Sequence, residues 1–318
     1  MNLNAYFLWT VGALLAGMVL AWFAGKQMPA GLKVRTLLLA VPLGILGARA
    51  FYVLARLNFF AEIGGTVWLW PADPMWSDWG VGLGFALWGA VGGTALAAVI
   101  STKKGTDFRK RMMDALAAGG CLAVGLYRFG EFLIGEGTGE MVEAEELCFF
   151  PLAVMNEWEE WNYAVFVWEG IAALVICFIL LNGMRRRKPG VTARLFLILF
   201  CSSQILLESL RRDSFLRWMF VRVSQVTAAA VLAGLIAAAV IRVRGDASEW
   251  GRRKRGMIVS CAVFLFCIGI CVGLEFAMDK SAFLSLELCY ALEALCCIGL
   301  GTAAYRAVIC TDKNVKKT

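Results

Sequence analysis

Nine apolar stretches, each long enough for a helix to cross a bilayer, decide the class of fold before any motif is considered. A spanning helix needs roughly 20 residues, because the hydrocarbon layer is about 30 Å thick and a helix rises about 1.5 Å per residue. The stretches lie near 7–25, 36–57, 81–100, 112–134, 163–183, 193–210, 219–241, 257–277 and 283–305. Only 17% of the 318 residues are charged and 60% are hydrophobic, a balance that a water-exposed domain of this size would not carry. The expected fold is an all-α polytopic membrane protein. The first span lacks a basic leader and is followed by Lys26 rather than a small-residue cleavage site, so it is expected to be a retained helix.

Charge sorts by loop. Of the 31 lysines and arginines, 23 fall after spans one, three, five, seven and nine. The positive-inside rule then places the N-terminus outside and the C-terminus in the cytoplasm. RRRKPG and GRRKRG would suggest nucleic acid in a soluble chain. Beside membrane spans they read as topology determinants touching anionic lipid, and no nucleic-acid partner is expected. The loop after span four is acidic, with Glu140, Glu143, Glu145, Glu146, Glu157, Glu159 and Glu160. Eight cations break the pattern: Arg49, Arg56, Arg128, Arg211, Arg212, Arg217, Arg222 and Lys280. Four of them form a basic outer loop, RRDSFLRWMFVR, which either snorkels to headgroups or meets a phosphate on the outer leaflet. The loop WLWPADPMWSDW, Trp68 to Trp79, is expected to lie in the outer interface as an aromatic belt.

Composition also removes several chemistries. The chain has no histidine, which excludes a His-containing zinc site and any Ser–His or Cys–His nucleophile pair. Its 11 cysteines show no CxxC pair and lie mostly in apolar segments, as small hydrophobes do. No metal and no cofactor is expected.

The functional signal lies at YRFGEFLIGEGTGE, Tyr127 to Glu140. Arg128, Glu131 and Glu136 stand there at the end of an apolar segment, beside Gly125, Gly130, Gly135, Gly137 and Gly139. An ionisable side chain within a bilayer costs several kcal/mol unless paired or wetted, so it marks a functional site by default. Gly130, Gly135, Gly137 and Gly139 would let the backbone bend or approach a ligand, whereas Gly89, Gly92 and Gly93 read as close helix packing.

These residues resemble those of the prolipoprotein diacylglyceryl transferase family over roughly residues 5 to 243. The family signature is an arginine, glycine, asparagine, phenylalanine run ending in glycine-glutamate and a further glycine. Here it reads RFGEFLIGEGTG, with Arg128, Gly130, Phe132, Gly135, Glu136 and Gly139 in place. DALAAGGCLAVG, GILGARAFYVL with Arg49 and Tyr52, VWEGIAALVICFILL with Glu169, ILLESLRRD with Glu208, and Gln225 are similar to further family segments in the same order. Several positions depart from the pattern. Trp88 stands where the family has a histidine, Glu131 replaces the signature asparagine, and Gln204 replaces an arginine in span six. An N-terminal family tyrosine aligns near Tyr6 with a slip of one, and spans eight and nine have no counterpart. The resemblance implies a seven-span transferase-like bundle over 1–243, a basic cytoplasmic linker over 244–256, two additional spans over 257–310 and a cytoplasmic tail over 311–318.

It also implies transfer of a diacylglyceryl group from phosphatidylglycerol to a lipobox cysteine of a prolipoprotein signal peptide, in the bacterial inner membrane. Such a site needs a cation for the phosphodiester, a group that takes or weakens the hold on the thiol proton, and an apolar slot open to lipid. Arg128 fits the phosphate, or else an ion pair with Glu131 one turn away. Arg211 and Arg212 could add a second cation, partly replacing the charge lost at Gln204. Arg49, Gly139 and Gln204 are further lipid-site candidates, though Arg49 could instead tie spans two and four together through Glu131 or Glu136. Glu131 or Glu136 would be the base, and Glu208 would orient cations, with Glu169 doing likewise or simply facing the bundle interior. Two other readings stand beside this one. One is a non-catalytic anionic-lipid-binding descendant of the same fold. The other is a small-solute transporter, against which the lack of an inverted repeat between halves counts.

Overall fold

The computed structural model describes residues 3–57, 60, 84–103, 106–156, 158–212, 216–218, 221–245, 247–280 and 285–309. The tryptophan-rich loop at 68–79 and the tail at 311–318 lie outside the described residues. Among the described residues the chain forms nine α-helices: α1 Leu3–Ala24, α2 Ala30–Ala55, α3 Leu87–Ser101, α4 Asp107–Gly130, α5 Val165–Met184, α6 Val191–Leu210, α7 Val223–Arg244, α8 Ala247–Lys280 and α9 Leu286–Val308. All except α3 have the length and apolar content to cross a bilayer. The protein is an all-α, multi-pass membrane protein. Large side chains such as Phe7, Leu38, Phe178, Ile241, Phe266 and Leu295 are exposed on the outside of the bundle, as hydrocarbon solvent permits.

Two features differ from the sequence expectation. The helix in the third apolar stretch begins only at Leu87 and runs 15 residues, shorter than the 81–100 span expected. The basic segment expected as a linker is helical over most of its length, because α8 starts at Ala247 and continues unbroken for 34 residues. Arg252, Arg253, Lys254 and Arg255 thus ride on the first turns of α8.

α1 packs on α4, α2 on α3, α5 on α4, α6 on α7 and α8 on α9, with α9 also reaching α6 and α7. Small residues set the closest approaches. A Cβ at Gly17 of α1 would stand 2.6 Å from the carbonyl oxygen of Gly119 in α4. At Gly89 in α3 it would stand 2.6 Å from Cβ of Phe51 in α2, and at Gly93 it would run into the backbone of Leu43. Gly89 and Gly93 therefore pack as expected, but Gly92 faces open space and does not. The main apolar core runs through α3 to α9 and includes Trp88, Phe196, Phe200, Leu232, Met257 and Leu300.

A buried carboxylate fixes α4 against α6. Asp114 accepts the backbone N–H groups of Gly190 and Ala193, each at 2.7 Å. It thereby satisfies donors that the first turn of α6 cannot bond internally. Gly190 itself sits at φ 87°, where a side chain would be strained.

Both contacts are testable in detergent solution. Asp114→Ala should lower unfolding stability by about 2 kcal/mol, since two buried N–H groups lose a charged acceptor. Gly93→Leu should cost about 1–3 kcal/mol through overpacking at the α2–α3 contact, read as a lower melting temperature, whereas Gly92→Ala should be nearly silent.

Candidate active site

The site is built where three helices end or begin at one level of the bundle. α4 stops at Gly130, and the chain tightens into a 3₁₀ turn, Glu131–Ile134. Gly135 then takes a left-handed conformation, φ 71°, which ends the turn. The tightened turn carries Glu131 back beneath Arg128. Beyond it the chain forms a short antiparallel hairpin, β1 Ala153–Met155 with β2 Trp161–Tyr163, which leads directly into α5. Gly139 donates its N–H to the Tyr163 carbonyl at 2.8 Å, and Phe166 in the first turn of α5 donates to the Gly137 carbonyl at 2.7 Å. These bonds hold the glycine-rich loop against α5. Two further side chains are forbidden by contact. A Cβ at Gly137, itself at φ 78°, would stand 2.5 Å from Oε2 of Glu131. At Gly139 it would stand 2.8 Å from the Leu210 carbonyl at the end of α6.

Inside this frame lies a cluster of two guanidiniums and two carboxylates, all buried. Arg128 Nη1 donates to Glu131 Oε1 at 2.6 Å, and its Nε lies 3.2 Å from Glu169 Oε2. That second contact is an ion pair without hydrogen-bond alignment. Arg211, the residue after α6, donates Nη1 to Glu131 Oε2 at 3.1 Å and to Glu169 Oε2 at 2.9 Å. Gln204 in α6 donates Nε2 to the remaining oxygen of Glu169 at 3.2 Å. Each carboxylate is therefore held by both arginines. The four formal charges cancel, which is what lets them sit away from water.

Next to the cluster is an apolar groove of about 370 Å³, lined by Phe129, Phe132, Phe150, Phe166 and Val167. Phe129 and Phe132 flank the two cluster residues Arg128 and Glu131 in sequence. A polar group held by the arginines and an apolar chain laid in this groove would thus meet the same short segment. On the α1 side of that segment, the Tyr6 hydroxyl donates to that of Tyr127 at 2.7 Å. The charges of Glu131 and Glu136 both act on this tyrosine pair.

The candidates read from sequence divide accordingly. Arg128, Glu131, Gln204 and Arg211 meet in one cluster, and Glu169 joins them as a full member rather than merely facing the interior. Glu136 is half-buried on the loop, its N–H bonded to the Glu131 carbonyl at 3.2 Å. Glu208 is buried in the last turn of α6, where its charge acts on Arg222. Arg212 is exposed and reaches Glu140 at 3.4 Å, so its charge points out of the cluster. Arg49 donates to the Gly84 carbonyl at 3.1 Å and lies 5.3 Å from the Phe60 ring centroid, in contacts of the α2–α3 connection. Trp88, at the position of the family histidine, packs edge-on against Phe200 at 5.8 Å in the apolar core.

Of the three acids in the last two spans, read from sequence as pairing across the bundle or lining a partner surface, Glu287 is exposed and the other two bond to the bundle. Glu275 of α8 accepts from Gln225 at 2.5 Å, and Glu293 of α9 accepts from Ser209 at 2.6 Å. The available signal was the one that found Arg128: an ionisable residue inside an apolar span.

A family model described as prolipoprotein diacylglyceryl transferase matches residues 1–241. A phosphatidylglycerol–prolipoprotein diacylglyceryl transferase 1 from Clostridium perfringens (strain 13 / Type A) is 28% identical over 227 residues, covering 69% of this chain and 80% of that protein. Phosphatidylglycerol–prolipoprotein diacylglyceryl transferases from Streptococcus pyogenes serotypes M5 and M1 are 28% identical over 245 residues, covering 72% of this chain and 88% of theirs. The match takes in α1 to α6 and nearly all of α7, and leaves α8 and α9 outside it. With a family model spanning well over half its length, the chain belongs to the prolipoprotein diacylglyceryl transferase family.

Proposed function

We propose that this protein transfers a diacylglyceryl group from phosphatidylglycerol to the cysteine thiol of a prolipoprotein signal peptide. The observation that carries the reading is the buried Arg128–Arg211 pair beside an apolar groove. A guanidinium stays charged when buried and forks onto phosphate oxygens, and two of them can share one phosphodiester. The acyl chains would then run along Phe129, Phe132, Phe150 and Phe166.

The same geometry supplies the base. In the resting cluster Glu131 is held by Arg128 and Arg211. A phosphodiester that takes the guanidiniums releases Glu131 to act as the base. Glu131 then accepts the thiol proton. The sulfur attacks the diacylglyceryl carbon bonded to the phosphate oxygen, so an S–C bond forms and a C–O bond breaks. The bonding pair leaves with the oxygen, giving a thioether and glycerol phosphate, whose added charge the two arginines stabilise. Glu169, bonded to both arginines and to Gln204, keeps the pair in register when Glu131 lets go. Glu136, Glu208 and Gly139 frame this centre, and Arg49 and Arg212 are proposed to meet lipid headgroups at its edges.

The proposed setting is the bacterial inner membrane, with the N-terminus outside, the C-terminus cytoplasmic, residues 1–243 forming the transferase core and 257–310 an appended pair of spans. A second reading, an anionic-lipid-binding member without turnover, is favoured by one observation: Trp88 is packed into the core where the family pattern has a histidine.

Purified protein in phosphatidylglycerol micelles should shift the mass of a lipobox-cysteine peptide by one diacylglyceryl group. Arg128→Ala should reduce the rate by about 100-fold or more. Glu131→Gln should also lower it by about 100-fold. Lipid binding without any mass shift in the wild type would leave only the pocket reading.

A further inference from the structure

The two appended helices place buried carboxylates against the segment that carries Arg211. Glu275 of α8 is 9% exposed and Glu293 of α9 is fully buried. From Glu275 an unbroken set of hydrogen bonds leads to the cluster. Gln225 Nε2 donates to Glu275 Oε1 at 2.5 Å, and Gln225 Oε1 accepts the backbone N–H of Arg222 at 3.3 Å. Arg222 Nη2 in turn donates to the Arg211 carbonyl at 2.5 Å. Gln225 also donates to the Ile205 carbonyl at 3.1 Å, which ties α7 to α6 at the same level. From α9, Glu293 Oε2 accepts from Ser209 Oγ at 2.6 Å, two residues before Arg211.

Arg222 makes the arrangement demanding. It is 8% exposed, and among the described residues its Nε and Nη1 have no hydrogen-bond partner. A buried guanidinium needs compensating charge nearby. Glu275 reaches it through Gln225, which bonds Glu275 with its Nε2 and the Arg222 backbone N–H with its Oε1. Without α8, Gln225 loses its Glu275 partner, and the Arg222 bond to the Arg211 carbonyl is the next contact along the chain of bonds.

Docking alone does not call for these acids. Helices associate in a membrane through close packing, and α9 already has Leu300, Ala303 and Ala304 buried in the common core. Acids inside hydrocarbon are costly. Here they stand at the end of α8 and the start of α9, the level at which α6 ends and α7 begins.

We propose that the α8–α9 hairpin is a built-in positioning module for Arg211. Glu275, through Gln225 and Arg222, and Glu293, through Ser209, hold the chain after α6 so that the Arg211 guanidinium stays between Glu131 and Glu169. What Arg211 then does for a phosphate rests on the transferase reading. That it is held in place by the hairpin does not.

The test uses the full chain and two readouts. Hydrogen exchange is followed at the amides of Arg211, Arg212 and Val223, which donate to the carbonyls of Glu208, Thr138 and Leu216. Glu275→Leu should speed exchange at these three amides by about ten-fold, while α1 and α2 stay unchanged. Glu275→Gln keeps an acceptor for Gln225 but loses the negative charge, and should restore only part of the protection. Glu287→Gln, exposed on the first turn of α9, serves as control. In the peptide-lipidation assay Glu275→Leu should lower turnover by roughly ten-fold, because displacing a phosphate-holding group by about 1 Å has effects of that size or larger. Faster exchange confined to α8 and α9, or none at all, would overturn the proposal. Should Glu275→Leu not fold, Ser209→Ala severs the second tether from the core side and is read by the same amides. A wild type that never lipidates peptide would sink the transferase reading, and exchange alone would then decide the role of the hairpin.

Discussion

Charge inside a membrane has to be balanced where it stands, and the architecture around Arg128 follows from that. A guanidinium removed from water loses solvation worth several kcal/mol, which only close opposite charge and well-placed hydrogen bonds recover. Arg128 finds Glu131 three residues on because α4 gives way to a 3₁₀ turn after Gly130. Glu169 has to arrive from α5, so the loop and hairpin between α4 and α5 must fold back tightly. Arg211 has to arrive from α6, so that helix must end at the same level. Gly137 has to remain bare, because any side chain there would strike Glu131. Removing one member would leave an uncompensated charge in the bundle, and the loss would spread to the others.

The departures from the family pattern make sense as a set. The resemblance places an arginine at 204 and an asparagine at 131. Here Gln204 removes one cation and Glu131 adds one anion, so Arg128 and Arg211 face Glu131 and Glu169 in balance. Gln204 keeps a donor on Glu169, as an arginine would, without its charge. Trp88 belongs to a different adjustment. It fills the core between α3 and α6 against Phe200, and so extends apolar packing where a polar ring would otherwise stand.

What depends on solvent and period was legible from residue order, and what depends on three-dimensional convergence was not. Apolar runs of membrane-spanning length are dictated by the hydrocarbon layer, so the spans near 112–134, 163–183 and 193–210 were legible to within a few residues of α4, α5 and α6. The Arg128–Glu131 pairing was legible too, as an alternative to phosphate contact, because it is local. Joining Glu169 and Arg211 to that pair needs a fold: they lie 41 and 83 residues beyond Arg128 in sequence, and no spacing rule connects them. Arg212 illustrates the same limit. It is adjacent to Arg211 and chemically identical, yet it points outward to Glu140. The helical start of α8 was hidden for another reason. A run of basic residues reads equally well as a loop or as the water-exposed end of a long helix.

A neutral cluster appears at first to argue against anion binding, but in a low-dielectric site it is a poised state. Free guanidiniums in hydrocarbon would not wait unpaired for a substrate; they would take up whatever carboxylate or carbonyl lay within reach. Glu131 occupies them in the meantime, at hydrogen-bond distance from both. On the transferase reading, an arriving phosphodiester competes with Glu131 rather than filling an empty hole. Its arrival then performs two tasks in one exchange: it engages the cations and frees a carboxylate to act as the base. Glu169 is held by Gln204 as well as by the arginines. For this exchange to be reversible the arginines must not follow the departing carboxylate. Arg128 is fixed by its place at the end of α4, whereas Arg211 lies beyond the end of α6 and has no helix of its own to hold it. The tethers that α8 and α9 provide to Arg222 and Ser209 bear on the member of the pair with the least intrinsic support.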